Sequence, residues 1–233
     1  MENRDILKTL GVTKSYDFGR VKALRGVDLK IPIKAFVSLA GPSGSGKTTL
    51  LNILGGLDSP DSGEVLLNQV NLAGMNEKER TLIRREKIGF IFQQFNLVPV
   101  LTALENVELP LEILRHFTSV TRRQAAMCLL KLVGLEGLER RYPNQMSGGQ
   151  QQRVAVARAL VKKPDIVLAD EPTANLDSET GAHIVELMRE MRNELGIAFV
   201  LSTHDPRVME RTEATFFMKD GKISNDASSS GMA

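Results

Sequence analysis

Residues 41–48 read Gly41-Pro42-Ser43-Gly44-Ser45-Gly46-Lys47-Thr48, which fits the phosphate-loop pattern G-x-x-x-x-G-K-[ST] at every fixed position. A triphosphate needs backbone N–H groups brought very close to its oxygens, and glycine permits that approach where a Cβ would block it. Lys47 offers a positive charge to the β- and γ-phosphates and Thr48 offers a hydroxyl to Mg²⁺. Thr49 is placed in the same candidate nucleotide-binding set. The flanks agree with this reading. Residues 35–40, Ala-Phe-Val-Ser-Leu-Ala, predict a buried strand. Thr48 to Leu57 predicts a helix whose N-terminal dipole faces the phosphates. A plain Gly/Ser turn between strand and helix would leave the Gly-Lys-Thr ending unexplained.

A length of 233 residues with 42% apolar content allows one large domain, or one domain with an insertion. Net charge is +2, with Lys and Arg dispersed, so no nucleic-acid partner is expected. The single cysteine, Cys128, excludes an internal disulfide. In the context Ala125-Ala126-Met127-Cys128-Leu129-Leu130 its thiol is expected to be buried. No apolar run approaches the roughly 18 residues of a membrane span, and Met1-Glu2-Asn3-Arg4-Asp5 lacks a signal-peptide apolar region. A soluble, cytosolic chain is expected, with residues 227–233 as a disordered tail.

Residues 5–34 alternate apolar and polar positions around turn signals at Phe18-Gly19 and Arg25-Gly26, and predict two or three antiparallel strands. Strands are also expected at 64–67, 88–92, 166–169 and 197–202, with a charged helix at 77–86 and a further helix at 179–195. Two last strands near 214–218 and 222–224 flank an Asp220-Gly221 hairpin turn. Between 93 and 163 the spacing becomes helical, with helices expected over 103–114, 121–133 and 148–161. The predicted organisation over residues 1–226 is therefore a single α/β domain. A mostly parallel phosphate-loop core (1–92 and 164–226) carries an antiparallel N-terminal β subdomain and an inserted α-helical subdomain (93–163).

Other positions carry chemistry. The strand Ile166-Val167-Leu168-Ala169 ends in Asp170-Glu171, where ligands meet the carboxyl ends of a parallel sheet. Asp170 can hold Mg²⁺, and Glu171 can orient or deprotonate an attacking water; an acidic turn cap before Pro172 is the alternative. Ser147-Gly148-Gly149-Gln150 opens a helix. Ser147 and Gln150 form a capping box, and the same geometry suits a γ-phosphate. Gln93, directly after an apolar strand, can reach Mg²⁺ or the water, or be an ordinary surface residue. His204, past the strand ending Ser202-Thr203, can contact a γ-phosphate oxygen or serve in a turn. Tyr16 can stack on adenine or pack on the sheet.

Taken together, these residues resemble the nucleotide-binding domains of ATP-binding cassette (ABC) proteins over about residues 5 to 224. The phosphate loop, Gln93, Ser147-Gly148-Gly149-Gln150, Asp170-Glu171, Ala174-Asn175-Leu176-Asp177 and His204 stand in that family's order. The resemblance implies an ATPase acting with ATP and Mg²⁺. It implies a head-to-tail dimer in which each ATP lies between one subunit's phosphate loop and the other's signature. Tyr16 falls at the adenine-stacking position, Gln93 on the loop that senses the γ-phosphate and meets the membrane partner, and Asp177 on the loop linking the two sites. Met146, where Leu is usual, and Ala174-Asn175, where Ser-Ala is common, depart mildly from the family. The run from Phe92 to Val107 with Asn175-Leu176-Asp177-Ser178 looks like the lipoprotein-release and macrolide-export branch. That branch implies a permease with a large extracytoplasmic domain and a peripheral place on the cytoplasmic face of the cell membrane. A cell-division ATPase of the same branch, regulating cell-wall hydrolysis, is the alternative. A DNA-maintenance ATPase would carry coiled coils or a zinc hook between the two halves of its site, and a regulatory module without turnover would lack Glu171.

Overall fold

The structure, a computed structural model, describes residues 5–114 and 117–224. The proposed disordered tail lies outside these residues. Two sheets organise the chain. The first is antiparallel, in the order β2-β1-β4-β5, from β1 (Asp5–Tyr16), β2 (Val21–Pro32), β4 (Ser62–Leu67) and β5 (Val70–Asn71). The second has the order β10-β9-β3-β8-β7-β6, from β3 (Phe36–Ala40), β6 (Ile88–Ile91), β7 (Ile166–Asp170), β8 (Ala198–Thr203), β9 (Ala214–Lys219) and β10 (Lys222–Ser224). It is parallel except for the β9–β10 hairpin.

Strands β3, β6, β7 and β8 of the second sheet are largely apolar on both faces because both faces are covered. Side chains alternate sides along a strand, and the two cores follow that alternation. Phe36, Val167, Ala169, Phe199 and Leu201 point into one core. There they meet α3 (Ala103–Leu114), α4 (Ser119–Leu132), α5 (Gly148–Leu160) and α6 (Ser178–Leu195), with the Phe36 and Phe199 rings 5.8 Å apart. Val37, Leu39, Ile166, Leu168, Ala198 and Val200 point into the other, against α1 (Lys47–Leu54) and the antiparallel sheet. α2 (Glu77–Lys87) runs along the surface with no fully buried residue. Among the described residues, no helix is long and apolar enough to cross a membrane.

Three local expectations are corrected. Arg25-Gly26 does not turn the chain. Gly26 lies at a register shift inside β2, with φ 80°, so β2 continues through a bulge. Cys128 is exposed. α4 buries Ala126 and Leu130, four residues apart on one face, and position 128 falls on the opposite face. β5 and the short α7 (Pro206–Met209) were not anticipated. β5 is reached through an Asn68-Gln69 turn with both φ positive, and α7 starts on an Asp205 cap with Pro206 behind it.

Candidate nucleotide site

The phosphate loop joins β3 to α1 and is packed from behind. Gly41 has φ 150°, and a Cβ there would stand 2.1 Å from the Met218 carbonyl oxygen of β9. Gly46 caps α1 with φ 104°, and a Cβ there would stand 2.6 Å from the Ala23 carbonyl oxygen of β2. Any other residue would push the loop away from these two strands. Ser45 accepts from the Gly221 N–H at 3.0 Å through its carbonyl. Its own hydroxyl is buried without a hydrogen-bond partner. Lys47 opens α1, 7% exposed, and its ammonium donates to Gly41 O at 2.7 Å and Pro42 O at 3.1 Å. The loop is thus folded around its own cation, and the first N–H groups of α1 face the same space.

Two carboxylates come from the neighbouring strand ends. Asp170 ends β7; its Oδ1 accepts from Ser202 Oγ at 2.6 Å and from Thr48 Oγ1 at 3.3 Å. Ser202 Oγ in turn accepts from the Glu171 N–H at 2.9 Å. Glu171 has φ 45°, a left-handed conformation that costs a non-glycine residue about 1–3 kcal/mol. Its carboxylate lies 3.0 Å from His204 Nδ1 and 3.9 Å from Lys47 Nζ. Ser202 fixes both acids from β8 and was not singled out in the sequence. A polar residue closing an otherwise apolar strand is the signal that could have found it.

Tyr16, Pro42, Ser43, Gly44, Gly46, Lys47, Thr48, Thr49, Gln93, Glu171 and His204 line one cleft of about 700 Å³. Tyr16 is 40% exposed, and the Lys14 ammonium lies over its ring, 5.2 Å from the centroid. Asp58 holds it, accepting from Tyr16 Oη and Lys14 Nζ, each at 2.7 Å. Burial raises the Tyr16 pKa, and the bond to Asp58 adds to that. Burial also works to raise the Asp58 pKa, but hydrogen bonds from Lys14, Tyr16 and the Ser59 N–H outweigh it and hold the carboxyl low. No sequence signal marked Asp58 or Lys14, which meet Tyr16 only through the fold. Tyr16→Ala should weaken ATP binding by about 1–3 kcal/mol, the range for a base stacked on an aromatic ring. Tyr16→Phe should lose less, because the ring remains and Lys14 still satisfies Asp58. Calorimetric titration with ATP checks both, and an unchanged Tyr16→Ala would leave the ring with no part in binding.

The cleft does not collect every candidate. Ser147, Gly148, Gly149, Gln150 and Asp177 do not line it, and neither do Gly41, Ser45 and Asp170, although Gly41 and Asp170 are hydrogen-bonded to Lys47 and Thr48, which do. Ser147 and Gln150 form the capping box on α5. Asp177 caps α6 by accepting from the Glu179 and Thr180 N–H groups, and its bonds to Thr180 keep its pKa low. The glycines at the start of α5 sit close to the loop that ends in Asp177. A Cβ on Gly149 would be 2.5 Å from Thr180 Cγ2, and one on Gly148 would be 3.3 Å from Leu176 Cδ2. Among the described residues no three His, Cys, Asp or Glu side chains form a metal cluster. The Thr48 hydroxyl, the Asp170 carboxylate and the Gln93 amide are hard oxygen donors. They suit Mg²⁺, which usually binds through one or two carboxylates plus substrate phosphates.

The ABC transporter family profile matches residues 24–174. An uncharacterised ABC transporter ATP-binding protein of Methanocaldococcus jannaschii, MJ0796, is 48% identical over 227 residues, covering 95% of this chain and 96% of that protein. The lipoprotein-releasing system ATP-binding protein LolD of Bacteroides fragilis is 44% identical, covering 91% and 97%. The fold is similar to the dimeric structure of MJ0796 in a post-hydrolysis state bound to ADP and Pi, with a TM-score of 0.89 and 46% identity over 97% of this chain and 100% of that one. With a phosphate loop, a strand-end pair of carboxylates and a helix-capping Ser-Gly-Gly-Gln motif on the same frame, the chain belongs to the ABC transporter family as a nucleotide-binding ATPase subunit.

Proposed function

We propose that two copies of this chain pair head to tail, hydrolyse ATP at their interface, and drive a membrane permease with a large extracytoplasmic domain in lipoprotein release or a related extrusion. One observation carries the pairing: Lys47, Thr48, Gln93, Glu171 and His204 share a cleft that the Ser147–Gln150 helix end does not reach. A second copy's α5 start would bring its N–H groups to the γ-phosphate. The similarity to a cassette described as dimeric supports the pairing, and the similarity to several LolD proteins supports the cargo class.

In this reading Tyr16 stacks on adenine and the loop amides from Gly41 to Thr49 cradle the phosphates. Lys47 sets its charge on the β- and γ-phosphates. Thr48, Asp170 and Gln93 would hold Mg²⁺, which would supply positive charge against the phosphates. Glu171 takes a proton from water as the water oxygen bonds to the γ-phosphorus. The bond to the bridging oxygen breaks and ADP leaves. His204 keeps the carboxylate oriented and can donate to the γ-phosphate. The units 1–92 with 164–226, and 93–163, would move relative to one another when the permease responds. The subunit itself would sit peripherally on the cytoplasmic face of the membrane.

The permease is assigned to the surface from Gln94 to Leu109 and the groove beside it. That groove, about 360 Å³, is lined by Phe90, Phe92, Leu109, Pro110 and Ile113. Phe90 and Phe92 stack at 5.7 Å. Arg84, Arg85, Arg158 and Lys162 also line it, and among the described residues no carboxylate does. Burial lowers the Lys162 pKa to about 8, with Arg84 adding to the effect. An apolar cytoplasmic segment of the permease carrying an acidic side chain would fit. Leu97 packs on the helical core, whereas Val100 is 77% exposed. Val100→Glu should therefore leave the melting temperature and the isolated ATPase unchanged while permease association and transport fall. Leu97→Glu should lower the melting temperature. A Val100→Glu subunit that co-purifies with its permease and transports normally would remove this surface from docking. Affinity capture of the tagged chain from its own membranes tests the cargo class. A division-type permease as the captured partner would replace lipoprotein release with cell-wall regulation.

A further inference from the structure

The segment after Gln93 is gripped from two sides. Phe95 and Asn96 both have positive φ, 60° and 49°, an unfavourable turn for two successive non-glycine residues. Arg158 of α5 donates to the Phe95 carbonyl at 2.6 Å and to the Asn96 carbonyl. From the other side Asn175 Nδ2 donates to the Gln93 carbonyl at 2.9 Å. Asn175 belongs to the loop between Glu171 and Asp177, which is turned by bonds from Ala174 N to Glu171 O and from Leu176 N to Thr173 O. Asn175 is exposed and does not line the nucleotide cleft, although Ala174, Gln93 and Glu171 do. This hydrogen bond therefore joins the two loops that present the Gln93 amide and the Glu171 carboxylate to the same space.

We propose that Asn175 is a positioning residue for hydrolysis: by holding the Gln93 carbonyl, it fixes the Gln93 side chain relative to Glu171, so the two loops act as one unit. The proposal rests on the ATPase reading above. It assigns Asn175 no contact with nucleotide. Losing the bond lets the Gln93 loop relax on the Arg158 grip alone. ATP still binds through Lys47 and Tyr16, but the attacking water is less well placed.

Steady-state ATPase assays on the full chain with Mg²⁺ and ATP test this. Asn175→Ala should lower kcat by about three- to ten-fold, the worth of one ordinary hydrogen bond, with KM for ATP within about two-fold of the parent. Asn175→Asp keeps the shape and removes the donor, so it should lose at least as much. The Gln93→Ala background decides the route. There, Asn175→Ala should add almost nothing, because the side chain it positions is gone. An equal loss in both backgrounds, an unchanged kcat, or a KM effect alone would overturn the proposal. So would a fall in melting temperature large enough to unfold both variants, which would make the bond a folding contact only. Absence of turnover in the parent chain, with ATP shown to be bound, would instead remove the ATPase reading itself.

Discussion

Glu171→Gln should bind ATP and turn it over about 10²–10⁴-fold more slowly, the usual loss when a general base is removed. The substitution keeps the side-chain shape. The amide oxygen can still accept from His204 Nδ1, now 3.0 Å from the carboxylate, and the backbone N–H keeps its bond to Ser202 Oγ. The left-handed backbone at φ 45° is unchanged, so the fold should be intact. What disappears is the proton acceptor and one negative charge beside the γ-phosphate. Less repulsion and slow turnover together should trap two copies around ATP, seen as an ATP-dependent dimer on size-exclusion chromatography. Parent-like turnover would remove Glu171 from its assigned role.

Lys47→Ala should lose binding and turnover together. The ammonium does two jobs in the fold. It closes the loop through Gly41 O and Pro42 O, and it is the cation nearest to Glu171. A charge-assisted hydrogen bond is worth about 1.5–3 kcal/mol, which corresponds to about a 10–100-fold loss of ATP affinity. The loop amides, no longer drawn in by Lys47, should add to that loss. Calorimetric titration with ATP reads the affinity. Parent-like affinity would show that the loop binds phosphate without its lysine.

The elements most legible in the sequence are those that one rule settles. β3 and β7 are short, buried on both faces and read as apolar runs; α3 spans Ala103–Leu114 as its spacing predicts. The phosphate loop was legible because backbone approach demands glycine at Gly41 and Gly46, whatever the rest of the chain does. What lay hidden depends on long-range partners. Asp58 reaches Tyr16 from 42 positions away, and Ser202 reaches Asp170 from 32. Asp58 carries no local signal, and the polar Ser202 in an apolar strand shows its partner only in the folded chain. Cys128 was misplaced because its apolar neighbours outweighed its position on the helix. The separation of the Ser147–Gln150 helix end from the cleft is a property of the tertiary arrangement, which no local pattern encodes.

The hairpin of β9 and β10 bears on how the protein comes into being. β3 is hydrogen-bonded on one side to β8 and on the other to β9, Met218 lies against Gly41, and the Gly221 N–H donates to the Ser45 carbonyl. During synthesis the motif at 41–48 emerges well before β8 and β9, the two strands that pair with its own. Vectorial translation therefore delivers the binding motif long before it delivers the site. A nascent chain stalled after Thr212 should fail to retain a fluorescent ATP analogue, and one extended past Ser224 should retain it. Nucleotide capture would then mark completion of the β9–β10 hairpin, and a subunit lacking that hairpin would be unable to close on ATP with one that has it.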